Sequence, residues 1–197
     1  MQTKAMIVNI NKKDLKNIWF ISDLHFCHDK DFLYSPRGFS SIQEHDKSII
    51  NNWNSVIKTT DEVYCLGDFM LNDYEKAIKY IKNLNGRIHL LIGNHDTQQK
   101  IELYKTCENI VSIELSKMIR IGKYFLWISH YPTLVRNIRD TKHIWSIHGH
   151  THSKEKFSKE YYHCYNVCLD AHNNSPINLE KILNDIKEKE KEIENDI

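Results

Sequence analysis

Five short apolar runs in this chain stop at residues of the kind that bind metal ions. "IWFIS" (18–22) runs into Asp23 and His25, "VYCLG" (63–67) into Asp68, and "HLLIG" (89–93) into Asn94 and His95. "FLWIS" (125–129) is followed by His130, and "IWSIHG" (144–149) by His150 and His152. Short apolar runs bounded by turn signals read as buried strands. In open α/β sheets, sites form just beyond the carboxyl ends of the strands. Strands that run the same way or share an edge therefore bring these ends to one place. A single Asp or His at a strand end reads first as a cap or a turn residue. Five such ends in one chain point to a shared site.

The rest of the chain fits a layered α/β architecture with a mixed sheet or two sheets. Residues 42–58 place Ile42, Ile49, Ile50, Trp53, Val56 and Ile57 at helical spacing. Residues 72–84 read as a helix capped by Asp73, and 97–108 as helical or irregular. Residues 110–130 read as two strands around Gly122, a hairpin, with further strands at 143–150 and 161–170. The tail from about 178 to 197 reads as a helix that docks Leu179, Ile182, Leu183 and Ile186 and ends in a solvated charged run. With three prolines, six glycines and no internal repeat, nothing marks a linker, so residues 1–197 read as one domain.

Charge weighs against some functions. The 27 basic and 26 acidic residues nearly cancel, which gives no electrostatic footprint for nucleic acid or an anionic membrane. No run approaches the roughly 18 apolar residues of a membrane span, and no apolar core marks a signal peptide. The five cysteines form no CxxC pair and no disulfide framework. These features read as cytoplasmic.

Two Asp, one Asn and several His form a mixed oxygen and nitrogen donor set. It suits Mn, Fe, Zn or Ni better than Ca or Mg. Eight candidate groups, Asp23, His25, Asp68, Asn94, His95, His130, His150 and His152, exceed one tetrahedral ion. They fit two ions about 3.5–4 Å apart that share a carboxylate. Asp23 and His25 stand two apart, as do His150 and His152, so an extended backbone would point each pair to one side.

Asp23-x-His25, Gly67-Asp68, Gly93-Asn94-His95-Asp96, His130 and Gly149-His150-Thr151-His152 together resemble the calcineurin-like metallophosphoesterases. The closing "NVCLDAHNNSPINLEKIL" resembles that of small single-domain members. The resemblance implies a four-layer α/β/β/α sandwich with two mixed β-sheets. It implies that Asp23, His25 and His152 bind one metal, that Asn94, His130 and His150 bind the other, and that Asp68 bridges them. His95 would be the catalytic histidine beside the leaving group, oriented by Asp96. Gly67-Asp68 continues as "FML" rather than the "xxDRG" of protein phosphatases, which argues against a phosphoprotein substrate. No large cap domain is visible, so the resemblance implies a shallow, open site.

The expected activity is hydrolysis of a phosphomonoester or phosphodiester, small or nucleotide-type, with two divalent ions, Mn foremost. A hydroxide bridging the metals would attack phosphorus in line with the leaving group, with no phosphoenzyme. His95 would then neutralise the leaving oxygen, as general acid or hydrogen-bond donor. Asp96 would fix the tautomer of His95. His28, Arg37 and Arg136 are candidate substrate contacts, the arginines because a guanidinium matches phosphate bidentately. His148 reads as packed one step below the metals. The competing functions are a nuclease on DNA or RNA and a non-catalytic scaffold that keeps the fold. The first is disfavoured by charge, the second by the presence of every motif residue.

Overall fold

The computed structural model describes residues 7–134, 143–158 and 163–195. Three of the apolar runs become parallel neighbours: β2 (Ile18–Ile21), β3 (Glu62–Cys65) and β4 (Arg87–Leu91). β5 (Ile110–Glu114) adds a further parallel strand beside β4, and β10 (Ile177–Asn178) pairs antiparallel with β2. The order of this sheet is β10-β2-β3-β4-β5.

The second sheet has the order β1-β6-β7-β8-β9. It comprises β1 (Ile7–Asn9), β6 (Ser116–Ile121), β7 (Tyr124–Ser129), β8 (Ile144–His148) and β9 (Cys164–Asn166). β6 and β7 form the expected antiparallel hairpin around Gly122, while β7, β8 and β9 run parallel. Both sheets are mixed, and helices flank them, as the resemblance implied.

The helices are α1 (Asp31–Tyr34), α2 (Ile42–Val56), α3 (Tyr74–Lys82), α4 (Gln98–Tyr104) and α5 (Leu179–Asn195). α2 starts where a reciprocal cap can form. Ser41 Oγ accepts from the Glu44 amide at 3.2 Å, and Glu44 Oε2 accepts from the Ser40 amide at 2.8 Å. Asp73 caps α3 as expected, its Oδ1 accepting from the Lys76 amide at 3.2 Å.

Alternation along the strands divides the core in two. Ile21, Val63, Cys65, Ile88 and Leu90 face Ile49, Trp53, Ala77, Ile81 and Tyr104 of the helices α2, α3 and α4. Phe20, Tyr64, Leu66 and Leu91 point the other way. There they meet Ile119, Leu126, Ile128, Trp145 and Ile147 of the second sheet, together with the Leu179, Ile182, Leu183 and Ile186 face of α5.

Two stretches depart from the sequence expectation. Residues 110–121 hold two strands in different sheets, because Leu115, 73% exposed, interrupts the run. Among the described residues of 161–170, those from 163 on, β9 is the one strand; Leu169–Ala171 is a 3-10 turn.

Candidate metal centre

The carboxyl ends of β2, β3, β4, β7 and β8 meet at one edge of the two sheets. β2 stops at Ile21, so Asp23 and His25 do not lie on extended backbone as their spacing suggested. Asp23 (φ 61°), His25 (φ 50°), Asp68 (φ 55°), His150 (φ 69°) and His152 (φ 49°) all occupy the left-handed region. That conformation costs a non-glycine residue about 1–3 kcal/mol. Asp, Asn and His tolerate it best, and it clusters at functional sites.

Backbone bonds lock these turns against one another. The Asp23 amide donates to Gly67 O at 3.1 Å, the His25 amide to Asp68 O at 3.0 Å, and the Gly149 amide to His130 O at 2.9 Å. The glycines leave no spare room. A methyl on Gly67 would stand 2.6 Å from Gly93 N and 2.8 Å from His130 Nδ1, at a backbone angle (φ 91°) that only glycine adopts freely.

Asp23 Oδ2 accepts from the His150 amide at 2.9 Å and from the Cys168 thiol at 3.0 Å. Its Oδ1 is buried and has no hydrogen-bond partner. That oxygen lies 3.9 Å from His25 Nε2 and 3.6 Å from His152 Nε2, and those two nitrogens are 3.2 Å apart. Asp68 Oδ1 accepts from the His95 amide at 2.9 Å. Its Oδ2 lies 3.8 Å from His25 Nε2, 3.6 Å from His130 Nε2 and 4.0 Å from His95 Nε2. On the far side, Asn94 Oδ1 is 2.8 Å from His130 Nε2 and 2.9 Å from His150 Nδ1.

Several neighbours fix which ring nitrogen is free. Leu66 O, 2.7 Å from His130 Nδ1, can only accept, so Nδ1 carries the proton and Nε2 faces the site. His152 Nδ1 lies 3.1 Å from Asp170 Oδ2. Burial, reinforced by the charges of His152 and Arg37, holds the His25 imidazole far below its ordinary pKa and hence neutral. Burial also lowers His150, with His130 adding to it. Burial raises the Asp68 carboxyl, against the pull of His130.

A buried carboxylate oxygen left without a partner is costly, and the lone pair of the neutral His25 imidazole does not relieve that cost. A divalent cation would. Oxygen and nitrogen donors within 4.8 Å of one another form two overlapping sets, Asp23–His25–His152 and Asp23–Asp68–His130. The residues present thus fit a divalent metal ion.

With this geometry in place, the comparisons with known proteins are decisive. A family model described as calcineurin-like phosphoesterase matches residues 16–196. The chain belongs to the calcineurin-like phosphoesterases. It is similar to an uncharacterized protein of Methanocaldococcus jannaschii, with 31% identity over 175 residues that span 86% of this chain and 90% of that protein. It is also similar to the gene 66 protein of Mycobacterium phage L5, with 28% identity over 167 residues, 71% of this chain and 79% of that one. Among solved structures it resembles a protein of unknown function from Aquifex aeolicus, at TM-score 0.62 and 25% identity, covering 84% of this chain and 96% of that one. The family is metal-dependent and acts on phosphate esters. No helix among the described residues is long and apolar enough to cross a membrane.

Within this family member, two expected roles need correction. Asp96 does not touch the His95 ring. Its Oδ2 accepts from the Asp68 and Gly93 amides at 2.8 and 2.9 Å, and its Oδ1 accepts from the Tyr104 hydroxyl at 2.7 Å. It is a buried brace between two motif loops. Arg37 is not available to a substrate phosphate. It is 8% exposed, and its guanidinium is spent on Asp170, His45 and Asp23 O. His28 sits beside the centre, ring to ring with His25 at 5.8 Å and with Phe32 at 5.6 Å. His148 is buried below the ligands, with Nδ1 donating to Gly149 O at 2.8 Å. Arg136 lies outside the described residues.

Four residues around the centre escaped the sequence. Asp170 and Cys168 hold His152 and Asp23 from the closing segment. Lys100 and Tyr104, one turn apart on α4, hold the Gly93–Asp96 loop: Lys100 Nζ donates to His95 O and to Met70 O, each at 2.7 Å. Only the helical spacing of Lys100 and Tyr104 hinted that they share a face.

Proposed function

We propose that this phosphoesterase is a dinuclear metal-dependent hydrolase of a phosphomonoester or phosphodiester, small or nucleotide-type. The observation that carries this reading is the position of Asp68. One of its oxygens faces His25, His130 and His95, between the Asp23–His25–His152 group and the Asn94–His130–His150 group. In this reading each of these groups holds one ion and Asp68 serves both. When bound, such ions neutralise phosphoryl oxygens and lower the pKa of water toward about 7. Mn is the favoured ion, with Fe, Zn or Ni as other occupants.

The remaining work falls to the chain. His95 is half exposed, its ring edge-on to His25 at 5.5 Å, with its backbone held by Asp68 and Lys100. It can meet a leaving oxygen at the mouth of the site and deliver a proton or a hydrogen bond, worth roughly 10²–10⁴ in rate if the proton is transferred. Asn94, His95, His150 and His152 lie on the exposed side, which suits an ester that docks from outside rather than in a closed cavity. The five cysteines are free thiols, which fits a reducing compartment such as the cytoplasm.

The test is to strip the protein of metal and offer a chromogenic phosphomonoester and a phosphodiester with Mn, Ni, Zn or Mg in turn. Turnover of at least one ester, strongest with Mn, is expected. Silence with both esters under every metal would overturn the proposal. Cleavage of bulk nucleic acid that weakens steeply with salt would replace it with a nuclease.

A further inference from the structure

A polar chain runs from His152 into helix α2, and the proposed chemistry uses no member of it beyond His152 and Asp23. Asp170 Oδ2 sits 3.1 Å from His152 Nδ1. Arg37 grips the same carboxylate with two parallel bonds, Nε to Oδ1 at 3.1 Å and Nη2 to Oδ2 at 2.8 Å. Arg37 Nη2 also donates to the backbone oxygen of Asp23 at 2.9 Å, and Nη1 donates to His45 Nε2 at 3.0 Å. His45 in turn donates from Nδ1 to Asp46 Oδ1 at 2.9 Å, and Asp46 Oδ2 takes the Cys27 amide at 3.0 Å.

We infer that Asp170 and Arg37 are positioning residues that hold His152 with its Nε2 lone pair toward Asp23 and His25, and so set the metal affinity of that half of the centre. The inference rests on the proposed metal centre. Arg37 Nη2 also lies 3.3 Å from His152 Nδ1, but its two N–H groups are taken by Asp23 O and Asp170 Oδ2, so Asp170 selects the tautomer with the proton on Nδ1 and leaves Nε2 free to bind a cation. Such partners of metal-binding histidines are worth about 10–100-fold in metal affinity. Arg37 fixes the carboxylate itself, because its planar fork matches both oxygens at once. His45 and Asp46 fix the fork in turn, so each member has a single orientation. Through Asp23 O the same guanidinium ties the Asp23–His25 turn to the closing segment. His150, by contrast, presents Nδ1 to the side-chain oxygen of Asn94 rather than to a carboxylate. The clamp therefore acts on one metal position and not on the other.

Two measurements test this. In metal-free wild-type protein, above the titration of His152, nitrogen NMR of that ring should report the Nδ1–H form; the Nε2–H form, or an even mixture, would overturn the clamp. In a calorimetric titration with Mn, Asp170→Asn should weaken one of two binding steps by about 10–100-fold and leave the other unchanged. Arg37→Lys, which keeps the charge but loses the fork, should weaken that same step less than Arg37→Gln does. Two unchanged steps would overturn the inference. So would equal weakening of both steps alongside a general loss of thermal stability, since that marks a merely structural role. Wild-type protein that binds no divalent ion would sink the metal-centre reading itself, while the tautomer measurement would still decide on the clamp.

Discussion

The backbone amide of Asp68 donates to Oδ2 of Asp96 at 2.8 Å, across 28 residues of sequence. This bond ties the loop after β3 to the loop after β4, and so ties Asp68 to the loop that carries His95. Asp96→Asn removes the charge from an acceptor that serves three donors. A stability loss of about 1–3 kcal/mol is expected, which a thermal melt would register as a drop of several degrees. Asp96→Ala, which unpairs all three donors, should cost more. An unchanged melt in both variants would show that the brace is idle.

Lys100 extends the brace from below. It is 2% exposed, and burial lowers its pKa against the pull of Asp96 and Asp68. Lys100→Met would leave the Met70 and His95 carbonyls unpaired. Because misplacing a catalytic group by about 1 Å can cost roughly 10² in rate, kcat should fall on that scale while metal content stays at the wild-type value. Metal analysis beside steady-state kinetics checks this. A variant that kept full kcat would free His95 from any dependence on Lys100.

Gly149 is needed for space rather than for backbone freedom. A methyl there would overlap Ser22 Oγ and stand 2.6 Å from Asp23 Oδ2. Gly149→Ala should therefore displace Asp23, cost about 1–3 kcal/mol and weaken metal binding. Adding Ser22→Gly relieves only part of the overlap, so the double variant should remain impaired. Wild-type metal affinity in either variant would contradict this packing.

Asp185 anchors α5 away from the metal centre. Its carboxylate takes the Tyr165 hydroxyl at 2.7 Å and the Lys181 and Lys156 ammonium groups at 2.6 and 3.2 Å. Burial opposes its ionisation, but these three bonds outweigh burial and hold its pKa below the ordinary value. A depressed carboxyl stabilises the fold above its unfolded pKa of about 3.9. That contribution is lost as pH falls from there through the folded value. The melting difference between wild type and Asp185→Asn should thus be full near neutrality and shrink below about pH 4. A difference that stayed constant across that range would contradict the linkage.

The strand ends were legible in the sequence because burial writes itself as apolar runs, and polar residues that end such runs stand out. Asp23, His25, Asp68, Asn94, His130, His150 and His152 all converge for that reason. What surrounds them was not legible. Asp170 and Cys168 reach the centre from a loop with no period of its own, and Lys100 looks like any surface lysine on a helix. Arg37 looks like a phosphate contact in the sequence because a sequence does not show whether a guanidinium is already occupied. Asp96 follows His95 in the chain, yet its carboxylate turns back to the backbone, where three donors gather. The left-handed turns at Asp23, His25, His150 and His152 were hidden for a similar reason: spacing alone cannot separate an extended pair from a pair of tight turns.

The central claim is that these side chains hold two ions while His95 serves the leaving group. Metal content and ester turnover, measured together on wild type and His95→Asn loaded with Mn, test it most directly. The account predicts two ions per chain in both proteins, with turnover about 10²–10⁴-fold lower in the variant. Full turnover in the variant, or wild-type protein that binds fewer than two ions and still cleaves the ester, would contradict it.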